Sequence, residues 1–119
     1  MRLVAVEDVT LPATGEQMTK LDAFYVGLLR FERDPKESGA VYKAENARLR
    51  FEQVADDVPR DDMRPVMIDV PSLRDLELLL VDREYPFVKE RGLFVGQINF
   101  LLRDPAGNWV KLGEVQRII

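Results

Sequence analysis

One arrangement of apolar residues occurs twice along the chain, and this repetition limits the fold more than any other feature. "RLVAVEDVTL" reads as a β-rich opening strand ended by Pro12, after which Thr14 can cap a helix with Gln17 three residues on. Met18, Leu21, Phe24, Tyr25 and Leu28 follow at helical spacing and give that helix one apolar face. Strand-like runs around "LRFERD", "AVYKAE" and "ARLRFEQV" come next, punctuated by turns at Ser38 and Gly39 and at Glu45 and Asn46. A charged connector with two prolines, "ADDVPRDDMRP", reads as a surface linker, and then the order starts again. "PVMIDV" is a strand, Ser72 caps a helix striped with Leu73, Leu76, Leu79 and Leu80, and Pro86 lies beyond its end. The runs "FVKER", "QINFLLRD" and "WVKLGEV" complete the second copy. Val9 and Val66, in the two opening strands, are 57 positions apart, close to half the chain. A unit of this size cannot bury its own hydrophobic face and must pack against its sister or another chain. The expectation is an α+β fold: two tandem β-α-β-β-β repeats forming curved mixed sheets around a cleft, with one helix on each convex side. All of 1–119 then forms a single domain, with repeat 1 at about 1–57, a linker at about 56–64 and repeat 2 at about 65–119.

Composition removes whole classes of chemistry. With 119 residues, 46% hydrophobic and 32% charged, the chain has the size and content of one ordinary soluble domain. No stretch approaches the roughly 20 apolar residues of a membrane span, and Glu7 interrupts the start before a signal-peptide core develops, so a cytoplasmic protein is expected, with no membrane partner. The net charge of -4 comes from interleaved acids and bases without a basic stripe, which argues against nucleic acid. The chain has no cysteine and no histidine. Disulfides, thiolate metal sites and thiol nucleophiles are therefore excluded, as are the commonest general base and the commonest zinc ligand.

"LLRDPAGNWVKLGE" is a hairpin: Asp104 can accept backbone N–H bonds at the head of the turn, Pro105 presets φ, and Gly107 and Asn108 tolerate positive φ. Phe24 and Tyr25 read as core, and Gly27 as a place where a neighbouring backbone comes close. Together with the tandem plan, "FYVGLLRFE" and "RDPAGNWVKL" resemble the motifs of the vicinal oxygen chelate superfamily, which includes glyoxalase I, bleomycin resistance proteins and extradiol dioxygenases. The resemblance spans essentially the whole chain.

In metal-binding members, the resemblance implies four ligands on the concave side of the sheet. Their positions fall here on Asp8, Arg50, Pro65 and Lys111, of which only Asp8 can bind a metal. Lys111 is an ammonium with three donors and no lone pair. The expectation is therefore no metal and no cofactor. A register slip leaves open an Asp8, Glu52, Asp69 carboxylate cluster, with Glu114 reachable only through a bulge.

Strand alternation sends Asp8, Thr10, Arg48, Arg50, Glu52, Met67, Asp69, Gln97, Asn99, Trp109 and Lys111 to the cleft, and Val9, Leu49, Phe51, Val66, Ile68, Val110 and Leu112 to the helices. All the cleft residues except Gln97 form the expected ligand-binding set. Salt bridges of Asp8 or Glu52 with Arg50 or Lys111 are expected to fill the cleft's centre, although solvated charges on an ordinary sheet face would give the same pattern.

Two functions follow. The first is a metal-free protein of the glyoxalase/bleomycin resistance type, a homodimer that binds or sequesters a small polar or aromatic compound beside Trp109. The alternative is a lyase, isomerase or dioxygenase of the same superfamily, using a metal or a carboxylate such as Glu52 as base, which Arg48 and Arg50 would disfavour by lowering its pKa. A fold serving only as a dimerisation or partner module also stays open.

Overall fold

The protein is represented by a computed structural model that describes residues 7–59, 64–92 and 95–115. Repeat 1 contains β1 (Glu7–Thr14), α1 (Gly15–Asp22) continuing as a π-helical segment (Ala23–Leu28), β2 (Glu32–Arg33), β3 (Val41–Lys43) and β4 (Ala47–Val54). Repeat 2 contains β5 (Val66–Val70), α2 (Leu73–Asp82), β6 (Val88–Arg91), β7 (Ile98–Arg103) and β8 (Trp109–Glu114). Each repeat forms its own four-stranded sheet, ordered β1-β4-β3-β2 in one and β5-β8-β7-β6 in the other. The first and last strands of each repeat are parallel and the other pairs antiparallel, so the two sheets have one topology. The first residues of the expected opening strand and the middle of the connector lie outside the described residues.

Pro12 does not end β1, which runs on to Thr14. The physical reason is position: β1 is an edge strand of its sheet, where a residue without an N–H leaves no ladder bond broken. The capping box forms, with Thr14 N donating to Gln17 Oε1 at 2.8 Å and Gln17 N donating to Thr14 Oγ1 at 3.2 Å. Ser72 Oγ likewise accepts from Asp75 N at 3.2 Å to start α2.

The first helix widens at its end. Leu29 N donates to the carbonyl of Phe24, five residues back, at 2.9 Å. The wider turn lets Phe24, Tyr25, Leu28 and Leu29 all become buried, more than an ordinary α-helical face presents at once. Gly27 has no close backbone neighbour, because a Cβ placed there would come no nearer than 3.9 Å to Arg83 Nη1 or the Asp22 carbonyl.

The inward residues of both sheets meet both helices in one contiguous core: Leu11, Leu49 and Phe51 from the first sheet, Ile68, Phe100 and Leu112 from the second, Leu21, Tyr25, Leu76 and Leu80 from the helices. Each such side chain contributes about 1.5–3 kcal/mol relative to exposure.

Two asparagines in equivalent places, one before β4 and one before β8, join the repeats. The Asn46 amide accepts from Asp69 N at 2.8 Å and donates to the Met67 carbonyl at 3.1 Å, acting as a strand partner for the free edge of β5. Asn108 Nδ2 reaches the Pro12 carbonyl of β1 at 3.5 Å. Gly107 takes φ 87°, as its turn position requires, whereas Asn108 is not left-handed and serves through its side chain.

Candidate functional site

The strand registers place Asp8 opposite Arg48, Thr10 opposite Arg50 and Met67 opposite Lys111, with Asp69 one pair further along β5. Burial alternates with them: Leu49, Phe51, Ile68, Val110 and Leu112 are buried against the helices, while Asp8, Thr10, Arg50, Glu52 and Met67 are exposed on the other face. Arg48, Asp69, Trp109 and Lys111 are half-buried there, and Asn99 is buried. Gly113 leaves room for two of these side chains, since a Cβ on it would lie 3.3 Å from Asn99 Oδ1 and 3.5 Å from Asp69 Oδ1. Gln97 falls outside β7, in the connection where its carbonyl accepts from Gly92 N at 2.8 Å.

The cleft's cations are ion-paired, but not with Asp8 or Glu52. Arg50 makes a two-pronged contact to Glu37, at 3.1 Å from Nη1 and 3.2 Å from Nη2. Arg48 pairs with Asp34 and, at 3.4 Å, with Glu37. Lys111 Nζ lies 3.2 Å from Glu90 Oε2 on β6. The acids come from a loop and a strand that alternation along β1, β4, β5 and β8 does not reach. Asp34 heads a turn by accepting from Lys36 N at 3.0 Å, the same Asp–Pro chemistry that Asp104 uses in the hairpin. That bond, and the charges of Lys43 and Arg48, hold the Asp34 carboxyl below its ordinary range. The hydrogen bond and charge of Arg50 do the same for Glu37. Val41, opposite Arg50 in the register, is fully buried without joining the core cluster, as expected if the 34–40 loop folds over this face.

Beside Trp109 lies a cavity of about 360 Å³. It opens where β6 begins at Val88, opposite Leu101, while β7 continues to Arg103, so the chain from Tyr85 to Phe87 diverges from its neighbour. Tyr85, Phe87, Val88, Leu101 and Trp109 give it an aromatic and aliphatic lining. The guanidinium of Arg103 stands 4.4 Å from the centre of the Trp109 ring. Tyr85 donates its hydroxyl to the Arg103 carbonyl at 2.5 Å, which fixes one wall; burial and the nearby Asp104 charge push its pKa up to about 12. Of the expected ligand-binding residues, Trp109 lines this cavity and the other nine do not. Leu101 and Arg103 were within reach of the sequence, being the next two positions of the alternation that contains Asn99.

No protein-family model and no curated protein matches the sequence. The solved structures do. A glyoxalase family protein from Bacillus anthracis superposes with a TM-score of 0.71 at 18% identity, over 98% of this chain and 100% of that one. A glyoxalase/bleomycin resistance protein/dioxygenase from Alicyclobacillus acidocaldarius gives 0.68 at 19% identity, over 94% and 92%. TnmS3, an antibiotic binding protein from a Streptomyces species, gives 0.63 at 17% identity, over 98% and 99%. The chain has the fold of these glyoxalase and bleomycin resistance proteins.

The positions that the resemblance assigns to a metal's ligands are poor donors. Arg50 and Lys111 are cations held by Glu37 and Glu90, and Pro65 offers no side-chain donor atom. Among the described residues no three acidic, histidine or cysteine side chains are grouped as a metal site would require, which includes the Asp8, Glu52, Asp69 set. The residues present do not fit a divalent cation. Asp8 and Glu52 are both exposed. Among the described residues no helix is long and apolar enough to cross a membrane.

Proposed function

We propose that this vicinal oxygen chelate fold serves as a metal-free binding protein, taking up a small polar or aromatic compound in the cleft of a homodimer. The observation that carries the reading is the cavity beside Trp109: apolar walls, a flat indole face and one cation at its rim are what binding needs without catalysis. The ion-paired cations at Arg50 and Lys111 support the metal-free part; Asp8, Thr10, Arg48, Glu52, Asp69 and Asn99 offer polar anchors along the same face, and Met67 an apolar one. The likeness to TnmS3, described as an antibiotic binding protein, agrees with this use of the fold.

Trp109 is the chain's one tryptophan, so its fluorescence reports on this cavity directly. Titration with a panel of planar aromatic compounds is expected to quench or shift that emission saturably and to raise the melting temperature, as any ligand of the native state does. A panel that changes neither signal removes the reading. Turnover of a bound compound, dependent on Glu52, would replace it with the enzyme.

A further inference from the structure

We propose a second binding site, on the helix side of the molecule and separate from the cleft, for a small apolar anion such as an aromatic carboxylate. A cavity of about 460 Å³ lies between the π-helical segment of repeat 1, the end of α2 and the hairpin turn. Its walls are Ala23, Phe24, Leu28, Tyr85 and Pro105, and its charged members are Lys20 and Arg83. No acidic side chain lines it, and neither cation has an ion-pair partner among the described residues. An apolar floor under two unneutralised cations selects a ligand with a hydrophobic body and one negative group.

Two features of the fold converge on this site. The first is the π-helical turn, which supplies Ala23, Phe24 and Leu28; such turns cost hydrogen-bond geometry and gather at functional positions. The second is Tyr85, whose ring stands 5.3 Å from that of Phe24 while its hydroxyl is spent on the Arg103 carbonyl. It therefore presents ring surface to this cavity and also lines the one beside Trp109, standing as a shared wall between them. Gly27 belongs to the same arrangement, since its bare backbone lies beside the Arg83 guanidinium.

The test is amide-resolved NMR of the full chain titrated with phenylacetate and, separately, with uncharged phenylacetamide. With phenylacetate, saturable shifts are expected at residues 20–28 and 83–85. Phenylacetamide should bind about tenfold more weakly or worse, the factor that one lost charge-assisted contact represents. Lys20→Gln with Arg83→Gln, both exposed and outside the core, should reproduce that loss with an otherwise unchanged spectrum. Ala23→Phe, which fills the cavity from an exposed helical position without adding a second tryptophan, should abolish the shifts while Trp109 fluorescence titrations stay as in the parent. Shifts confined to Val88, Leu101 and Trp109, equal binding of the amide, binding that survives Ala23→Phe, or no shifts at millimolar ligand would each overturn the proposal.

Discussion

At the scale of single residues, the most densely bonded side chain among the described residues is that of Asp104. It is buried, and its carboxylate accepts from Tyr25 Oη at 2.7 Å, Ala106 N at 2.9 Å, Asn108 N at 2.8 Å and Asn108 Nδ2 at 3.1 Å. Burial pushes its pKa up, against the pull of these four bonds, and burial likewise raises that of Tyr25 well above the ordinary phenol. Tyr25→Phe removes one donor from a buried carboxylate and is expected to lower stability by about 1–2 kcal/mol, read from the urea midpoint at unchanged slope; an unshifted midpoint would show that the bond contributes nothing net. The 34–40 loop has the opposite sign of pH linkage. Asp34 and Glu37 have folded-state pKa values below their unfolded ones, so their contribution is complete above the ordinary carboxylate pKa and is lost as pH falls through the depressed values. Asp104, raised, contributes most fully below the ordinary value and loses that contribution as pH rises through the folded one. Asp34→Asn with Glu37→Gln should therefore reduce the drop in melting temperature between about pH 5 and about pH 3. An undiminished drop would detach the loop from folding.

At the scale of elements, the end of α2 decides where Tyr85 stands. Tyr85 N donates to the Leu80 carbonyl at 2.9 Å and Glu84 N to the Val81 carbonyl at 3.1 Å, the paired bonds of a Schellman ending, with Glu84 left-handed at φ 53°. Glycine normally takes that conformation. Glu84→Gly is expected to gain about 0.5 kcal/mol, the relief of left-handed strain less the entropy of an added glycine. Gly107→Ala, at φ 87° in the hairpin, should lose about 1 kcal/mol or more for the converse reason. Thermal melts of the two variants displaced in the same direction would refute this account. Much of the element plan was legible because each signal was local: both caps, the alternation through Arg48, Leu49, Arg50 and Phe51, and the 57-residue spacing. What stayed hidden depends on tertiary partners. Pro12 reads as a stop until β1 is known to be an edge, and the π-helical turn follows from four apolar residues competing for one core. The acids facing the cleft cations could not be paired from sequence, since Asp34, Glu37 and Glu90 reach them only through loop and sheet geometry.

At the scale of the whole molecule, each repeat covers one face of its sheet with a helix, and on the opposite face of the second sheet Met67 and Val88 are more than half exposed. Pairing two chains over these faces would complete the cleft, and light scattering at micromolar concentration is expected to give twice 13.7 kDa; a monomer mass that persists on concentration would contradict it. Metal content is set at the same scale, because the positions concerned lie in different strands and sheets. Arg50 belongs to β4 of the first sheet and Lys111 to β8 of the second. A unit cation about 4 Å from a divalent ion opposes its binding by several kcal/mol even at an effective dielectric near 20. Moving either side chain aside also breaks its bond to Glu37 or Glu90. Protein purified without chelator is therefore expected to carry no stoichiometric zinc, nickel, manganese or iron by elemental analysis. One metal per chain, removed by EDTA with a fall in melting temperature, would defeat this prediction and favour the enzyme. The converse variant, Arg50→Glu with Lys111→Glu, replaces both cations by carboxylates on the face that holds Asp8 and should gain measurable affinity for a divalent metal. If the transferred positions do not converge on one point, the same variant will only lose its two ion pairs, and its melting temperature will fall without responding to any metal.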